Sequence, residues 1–169
     1  QYEGLHAPFT REGVALFERS NAFYMLTSGM TGYVPNKSDS AIADTLEHPF
    51  KSIGDPHVND KSQASFNSQI SQVFRVQGKK DLYIAIADRW LPDIEVDAQL
   101  ADIMERAIAS HYDPENYKAT PEEQRIMQNT SKLEHADTSA STYVWLPLQF
   151  DGTKVQIQWR DAWTIEEFE

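Results

Sequence analysis

A strand–turn–strand pattern occurs three times in the sequence and constrains the fold more than any other feature. "GVALFERSN" and "AFYMLTSG" are apolar segments joined by a polar turn at Ser20 and Asn21. "ISQVFRVQGKKDLYIAIADRW" turns at residues 78–81, and "YVWLPLQFDGTKVQIQWRDAW" turns at Asp151 and Gly152. Short apolar runs separated by such turn residues are typical of β-hairpins. The sequence therefore predicts antiparallel strands in an all-β fold.

The segments around these hairpins have the composition of loops. "TGYVPNKSD" combines Gly, Pro and Asn, which favour turns. Residues 40–63 begin with a weak strand pattern and continue as a polar stretch. We expect this stretch to be one long loop.

A helical segment separates the second hairpin from the third. Its apolar residues follow the spacing of one helix face: Leu100, Ile103, Met104, Ala107 and Ile108. Asp97 is a candidate N-cap for this helix. A second helix is predicted at "TPEEQRIM", where Thr120 caps, Pro121 suits the first position and Glu123 completes a capping box. We expect residues 93–135 to be an insertion between two strands of one sheet, with its apolar stripe used for packing.

The strands fall into two groups, each rich in aromatic residues near its turns. Four-stranded meanders of this kind suit the blades of a β-propeller, and a β-sandwich is the alternative that periodicity leaves open. Two blades cannot close a ring, because each blade buries its faces against neighbours. The sequence also starts with Gln1 rather than Met. We therefore expect a piece of a longer chain, or a partner that supplies the remaining blades.

Composition excludes several classes of function. The 169 residues suffice for one domain. The net charge of −11 argues against nucleic acid and against anionic membrane surfaces. No apolar stretch approaches the roughly 18 residues that span a bilayer. The absence of cysteine excludes disulfides and thiolate metal sites and leaves the cellular location open.

Two short segments at the starts of predicted strands carry candidate chemistry. Glu12 precedes the first strand in "TREGVALF", and Asn67 and Gln69 precede the second group in "SFNSQ". Residues two apart on an extended chain point the same way, so both amides can face one pocket. The alternative for all three residues is an ordinary surface or loop position.

The histidines and aromatic residues give weaker signals. His57 lies near Asp55 and Asp60, but no second cluster at ligand spacing supports a metal site, and we predict none. Four aromatic residues stand beside polar ones, as a sugar-binding surface requires, although an aromatic residue of this kind is more often part of a core: Tyr33, Trp90, Trp145 and Trp159.

Four segments in this order resemble glycoside hydrolase family 43. They are "REGVALFERSNAFYMLTSGMTGYVPN", "SFNSQISQVF", "YIAIADRW" and "YVWLPLQF". The resemblance is to the C-terminal part of the catalytic domain in the branch of exo-β-1,3-galactanases and related β-galactosidases, and it covers nearly the whole chain. It implies a five-bladed β-propeller, of which residues 1–169 would form about the last two blades. Calcium at the propeller axis is the one cofactor that the resemblance leaves open.

The resemblance also implies roles for particular residues. The family's general acid, a Glu in a "REAP"-like motif, falls on Glu12, although Gly13 and Val14 stand where Ala and Pro are common. This branch lacks the usual aspartate base, and a glutamine in an "NSQ" motif, here Gln69, takes the place opposite the acid. The "TG(W/Y)xPN" motif implies a sugar-lining loop with Thr31, Gly32, Tyr33, Pro35 and Asn36. Further substrate contacts are expected from Asn67, Arg89, Trp90 and Trp145.

These roles amount to an inverting, exo-acting hydrolase that releases galactose from β-1,3-galactan or arabinogalactan chains. Glu12 would protonate the leaving oxygen, and Gln69 would orient the attacking water or act as its imidic-acid tautomer. One alternative is a propeller that binds carbohydrate without hydrolysing it. Another is a family 43 arabinofuranosidase or xylosidase, which would keep its catalytic aspartate in the N-terminal blades.

Overall fold

The computed structural model describes residues 2–3, 10–96, 98–130 and 136–169. Within these ranges, ten strands and two α-helices follow one another. They are β1 (Tyr2–Glu3), β2 (Glu12–Arg19), β3 (Ala22–Ser28), β4 (Asp39–Ala43), β5 (Phe50–Gly54), β6 (His57–Val58), β7 (Gln69–Arg75), β8 (Tyr83–Arg89), α1 (Ala98–Tyr112), α2 (Pro121–Thr130), β9 (Thr142–Asp151) and β10 (Lys154–Gln158).

The strands form two five-stranded sheets built to the same plan. The first sheet has the order β1-β5-β4-β3-β2, and the second has the order β6-β10-β9-β8-β7. In each, four strands form an antiparallel meander, and a two-residue strand runs parallel to the last of them. The prediction of two groups of antiparallel strands is confirmed. The weak strand pattern at the start of residues 40–63 corresponds to β4, but the prediction that the polar stretch after it is one long loop is wrong, because β5 and β6 lie within it.

The hairpin turns adopt the backbone geometry that their residues favour. Ser20 and Asn21 have φ values of 52° and 61°, and Gly152 has a φ of 60°. Left-handed residues in two-residue turns match the right-handed twist of the flanking strands. Short polar residues and glycine adopt this conformation at least cost, and the predicted turns are therefore confirmed at these positions.

The core lies between the two sheets, where the first strands of the meanders, β2 and β7, are neighbours. Alternate residues of β2, Ala15 and Phe17, are buried in one cluster with Ile70 and Val73 of β7. The Phe17 ring stacks on Tyr24 with ring centroids 5.2 Å apart. This packing sets the relative position of the two strand starts, and with it the geometry of the site.

The helical segment between β8 and β9 contains both predicted helices. In α2 the backbone N–H of Thr120 donates to the Glu123 carboxylate at 2.8 Å, and the N–H of Glu123 donates to Thr120 Oγ1 at 3.2 Å, which confirms the capping box. Along α1, Ile103, Met104 and Ala107 are buried as expected. The predicted cap Asp97 and residues 131–135 lie outside the described residues. No helix in the described ranges is long and apolar enough to cross a membrane.

Candidate functional site

The two residues predicted to carry chemistry meet where the two sheets pack together. Glu12 is the first residue of β2, and Gln69 is the first residue of β7. Gln69 Nε2 donates to Glu12 Oε1 at 3.2 Å and to Ser28 Oγ at 2.7 Å. Gln69 Oε1 accepts from Trp90 Nε1 at 3.3 Å. Because an indole N–H can only donate, it fixes which end of the amide faces Glu12.

A β-bulge aims the carboxylate of Glu12. Glu12 pairs with Ser28 and Ala15 pairs with Leu26, so the register shifts between these two pairs. Gly13 lies within the bulge with a φ of 59°. A bulge with glycine in the left-handed region bends its strand and redirects the neighbouring side chains. Glu12 is thereby half-buried beside the second sheet rather than directed into solvent.

The segment "SFNSQ" forms a left-handed turn immediately before Gln69. Ser65, Phe66 and Asn67 have φ values of 55°, 57° and 55°. Each non-glycine residue in this region costs about 1–3 kcal/mol, and such strain occurs at sites where the surrounding structure enforces it. The three residues that lead into β7 are thus held in a conformation that their own backbone preferences disfavour.

Asp60 holds this turn with both carboxylate oxygens. Oδ1 accepts from the backbone N–H of Ser62 at 3.1 Å and from Ser62 Oγ at 2.5 Å. Oδ2 accepts from the backbone N–H groups of Ala64 at 2.9 Å and Phe66 at 3.1 Å. Ser65 adds a buried hydroxyl that donates to the carbonyl of Asn36 at 2.8 Å. Together these bonds tie the strained turn to the loop that follows β3.

A cavity opens beside the Gln69 amide and contains most of the predicted sugar-binding residues. Its volume of about 10 Å³ is comparable to the space of a single water molecule. The rings of Tyr33 and Trp90 lie 5.7 Å apart, tilted by 53°, at this cavity. The lining residues are Ser28, Gly32, Tyr33, Val34, Pro35, Asn36, Asn67, Ser68, Gln69, Asp88 and Trp90.

Asp88 is a cavity residue that the sequence motifs did not single out. It pairs directly with Gln69 across the β7–β8 ladder and places a carboxylate in the lining. The available signal was its position in "ADRW", one residue before the predicted contacts Arg89 and Trp90.

Thr31 and Asn36 organise the loop after β3. The Asn36 side chain accepts from the N–H of Gly29 at 2.7 Å and donates to the carbonyl of Gly29 at 3.0 Å. It also donates to Thr31 Oγ1 at 2.5 Å, and Thr31 Oγ1 donates to the carbonyl of Val34 at 2.6 Å. Asn36 lines the cavity while Thr31 stands behind it, so these side chains shape the loop that presents Tyr33.

Arg89 and Asn67 support the segment that carries Trp90. Arg89 donates to the carbonyl of Pro92 at 3.1 Å, and Asn67 Nδ2 donates to the carbonyl of Ile94 at 2.8 Å. The guanidinium of Arg89 also lies 5.2 Å from the centre of the Trp159 ring. Arg89 is not among the residues that line the cavity, so the structure brings it near the site rather than into it.

Trp145 lies away from the cavity, in the middle of β9. Its neighbour Leu146 is buried in the core, and alternation along the strand turns Trp145 to the outer face of the second sheet. There it is 50% exposed, with its ring centre 6.0 Å from that of Phe74. The structure does not bring Trp145 together with Glu12 and Gln69.

A partly buried arginine stabilises the ends of the strands next to the site. Arg11 donates to the side chain and carbonyl of Thr27 at 3.0 and 2.9 Å, and to the carbonyl of Lys37 at 3.0 Å. Burial lowers the pKa of the Arg11 guanidinium, and the nearby Asp39 carboxylate opposes this effect. Arg11 thus fixes the end of β3 next to Ser28, which accepts a hydrogen bond from Gln69.

The histidine and aspartates weighed as metal ligands make other contacts. His57 is buried, with Nδ1 3.2 Å from Asp55, and Asp60 is occupied by the turn described above. Within the described ranges, no group of three or more His, Asp or Glu side chains is placed to hold a metal ion.

The fold and site together define a mainly-β chain in which two equivalent meanders bring an acid and an amide to one aromatic-lined cavity. No protein-family model matches the sequence, and no curated protein matches it. Solved structures do match, and among them are glycoside hydrolase family 43 enzymes and exo-β-1,3-galactanases.

Three of these structures illustrate the likeness. A family 43 β-1,3-galactosidase is 23% identical with a TM-score of 0.61, over 94% of this chain and 24% of its own. A second, solved with galactodeoxynojirimycin, is 24% identical with a TM-score of 0.59, over 92% and 32%. An exo-β-1,3-galactanase from Clostridium thermocellum is 21% identical with a TM-score of 0.53, over 88% and 23%. The resemblance predicted from the motifs is confirmed for the fold, and the chain spans less than a third of each of these solved chains.

Proposed function

We propose that this chain is part of a glycoside hydrolase that releases terminal galactose from β-1,3-galactan or arabinogalactan chains. The observation that carries the proposal is the contact between Glu12 and Gln69, which begin equivalent strands of two equivalent sheets. The likeness to galactosidases and galactanases supports the substrate class. Glu12 is the general acid, and Gln69 positions the water.

The hydrogen bonds of Gln69 suit it to hold a water molecule. Its two N–H groups face Glu12 and Ser28, and its oxygen accepts one bond from Trp90. An amide oxygen has two acceptor directions, so one remains for a water O–H after these contacts. A neutral amide is a weak base, and its contribution is therefore orientation of the nucleophile rather than removal of its proton.

The direct contact between Glu12 and Gln69 closes the site to a sugar. Inverting hydrolysis places the sugar and the attacking water between the acid and the opposing group, which lie roughly 6.5–9.5 Å apart. Gln69 Nε2 is 3.2 Å from Glu12 Oε1, so no sugar can lie between them here. Sugar entry must open this bond, while the bonds to Ser28 and Trp90 keep the amide oriented.

Aromatic and polar groups at the cavity fit a terminal sugar. A sugar ring presents apolar C–H faces that stack on aromatic rings, and Tyr33 and Trp90 provide two such surfaces. Asp88 can accept hydrogen bonds from sugar hydroxyls. The remaining wall of the pocket, in this proposal, comes from other blades of a five-bladed propeller of which this chain forms about two.

The outer faces of the two sheets are suited to such neighbours. Val14 and Leu16 on β2 are 56% and 48% exposed, and Tyr143 and Trp145 on β9 are 72% and 50% exposed. Rows of exposed apolar side chains on sheet faces mark surfaces that another element covers. The covering blades belong to the same chain or to a partner chain.

The decisive experiment compares Glu12→Gln with the wild type in the full-length protein, using a β-1,3-galactooligosaccharide. Loss of a general acid typically slows turnover by ~10²–10⁴-fold. We expect galactose release to fall by that factor while galactose binding, measured by calorimetry, persists. Glu18→Gln is the matched control, because it removes the same charge from an exposed position on the same strand.

The same experiment tests the second candidate function, a carbohydrate-binding propeller without hydrolysis. The specific observation in its favour is the amide that contacts the acid where a base would be expected. Wild-type protein that binds the oligosaccharide and releases no galactose would establish the binding module and refute the hydrolase. Turnover of Glu12→Gln within a few-fold of the wild type would remove Glu12 from the role of acid.

A further inference from the structure

Gly13 lies against the side chain of Gln69. A Cβ atom added at Gly13 would stand 3.2 Å from both Cγ and Nε2 of Gln69, and 3.3 Å from its Cδ. These distances are shorter than ordinary contacts between carbon atoms, which are about 3.5–4.0 Å. In this chain, where position 13 has a positive φ, the absence of a side chain there lets the Gln69 amide pack against the backbone of β2.

We propose that Gly13 is the residue that positions the Gln69 amide beside Glu12, in the orientation that Ser28 and Trp90 maintain when sugar entry opens the bond to Glu12. Gln69 Nε2 reaches Glu12 Oε1 and Ser28 Oγ at the same time, and both acceptors belong to the strand pair that contains the bulge. A methyl group at position 13 would push the amide outward by a few tenths of an ångström and lengthen both bonds. Gly13 touches no substrate and acts through Gln69.

The proposal is specific to the side-chain contact and separate from backbone strain. Gly13 has a φ of 59°, which disfavours any L-residue with a side chain. Gly152, in the β9–β10 turn, has a φ of 60°, and apart from its two chain neighbours no described residue has an atom within 4 Å of an added Cβ. Gly152→Ala therefore introduces the same backbone strain without touching a neighbour, and it is the matched control for Gly13→Ala.

The first test is spectroscopic and independent of catalysis. The indole N–H of Trp90 donates to Gln69 Oε1, so its NMR resonance reports the position of the amide. In ¹⁵N-labelled full-length protein, with the peak assigned by Trp90→Phe, we expect Gly13→Ala to shift this resonance and Gly152→Ala to leave it unchanged. An unchanged Trp90 resonance in Gly13→Ala would overturn the proposal.

The second test uses turnover and rests on the proposed hydrolase activity. We expect Gly13→Ala to lower kcat about tenfold or more, because small misplacements of catalytic groups are costly, with little change in KM. In a Gln69→Ala background the same substitution should have no further effect, since the side chain through which it acts is gone. An equal loss of kcat in both backgrounds would show that Gly13→Ala acts through backbone strain and not through Gln69, and it would overturn the proposal.

The two tests separate failure of this inference from failure of the proposed function. If the wild type releases no galactose, the hydrolase is refuted and the Trp90 resonance alone decides the role of Gly13. If Gly13→Ala does not fold, Gly13→Asn takes its place in both tests. Asn tolerates a positive φ better than Ala and adds the same Cβ.

Discussion

The amide of Gln69 joins residues that are far apart in sequence. It bridges Glu12, 57 positions earlier, and Ser28, 41 positions earlier, and it also accepts from Trp90. A hydrogen bond contributes about 0.5–1.5 kcal/mol net, so these contacts are a modest part of the stability of the domain. Their larger effect is to give one flexible side chain a single orientation.

Replacing Gln69 separates a catalytic role from a structural one. For Gln69→Ala in the full-length protein we expect kcat to fall by at least tenfold, while the free energy of unfolding falls by only ~1 kcal/mol. For Gln69→Glu we expect impaired turnover with a shifted pH profile, because two adjacent carboxylates titrate as a coupled pair. The measurement is kcat against pH on a β-1,3-galactooligosaccharide.

The controls for this prediction lie on the same strand. Gln72 is exposed on β7, so Gln72→Ala and Gln72→Glu make the same chemical changes away from the cavity. Both should retain wild-type kcat at every pH. A Gln69→Ala variant with unchanged kcat would show that Gln69 has no catalytic role and that "SFNSQ" is an ordinary, strained loop.

At the scale of elements, the left-handed turn before β7 depends on Asp60. Asp60→Asn replaces one carboxylate oxygen with an N–H₂ group, which would face N–H donors that now donate hydrogen bonds to the carboxylate. We expect the free energy of unfolding to fall by roughly 1–3 kcal/mol as a result. Chemical denaturation measures this loss. Asp137→Asn is the control, since Asp137 accepts from Ser139, whose backbone N–H is 2.9 Å away, in an exposed loop. Equal effects in the two variants would contradict a special role for Asp60.

The helix α1 carries a carboxyl group whose ionisation opposes folding. Burial raises the pKa of Glu105, and the nearby Lys37 and Arg11 only partly offset this. The unfolded chain ionises this group near its ordinary value of 4.5. The stabilising contribution of the neutral Glu105 carboxyl is therefore fully present below that pH, and it is lost as the pH rises through the pKa of Glu105 in the folded state.

This linkage predicts the effect of Glu105→Gln. The variant has no charge to bury, so its Tm should exceed that of the wild type at pH 7, and the difference should disappear below pH 4.5. Asp102→Asn, which removes an exposed carboxylate from the same helix, is the control. A wild type that is more stable than Glu105→Gln at pH 7 would show that the attraction of Lys37 and Arg11 outweighs burial.

The elements differ in how well the sequence predicted them. Turn residues such as Ser20 and Asn21, and the capping box at Thr120, act through bonds within a few residues, so their patterns suffice. The strand β5 was missed because its polar residues Lys51 and Ser52 interrupt the apolar pattern, and its partners lie in β4 and β1. Pairing with β4, which precedes it along the chain, and with the distant β1 decided its structure, and its own composition did not record it.

The residues of the candidate site were predicted from motifs, not from periodicity or turn chemistry. The motifs pointed to Glu12 and Gln69, but their direct contact depends on how β2 packs on β7, which no local pattern encodes. Trp145 was expected near the sugar, yet the alternation that buries Leu146 turns it to the opposite face. Asp88 went unnoticed because a carboxylate at the end of a strand is common on protein surfaces.

At the scale of the whole molecule, the exposed sheet faces predict behaviour of the chain by itself. We expect residues 1–169 in isolation to release no galactose and to self-associate, because their apolar faces lack the neighbouring blades. Sedimentation velocity measures the association. Leu16→Lys should reduce it, whereas Leu46→Lys should not, since Leu46 is 56% exposed in the turn between β4 and β5. A monomeric isolated chain with galactanase activity would refute the two-blade assignment.

The strand order of the second sheet identifies a place where the chain can be cut without separating its parts. β6, β7 and β8 come before the two helices, whereas β9 and β10 come after them. The β9–β10 hairpin is seated between β8 and β6, with hydrogen-bonded partners along both of its edges. A protease cut between α1 and α2 would therefore leave two pieces that recognise each other by strand pairing. The broken chain would stay together as a noncovalent complex, and the helical segment is the place to divide this protein into complementing halves.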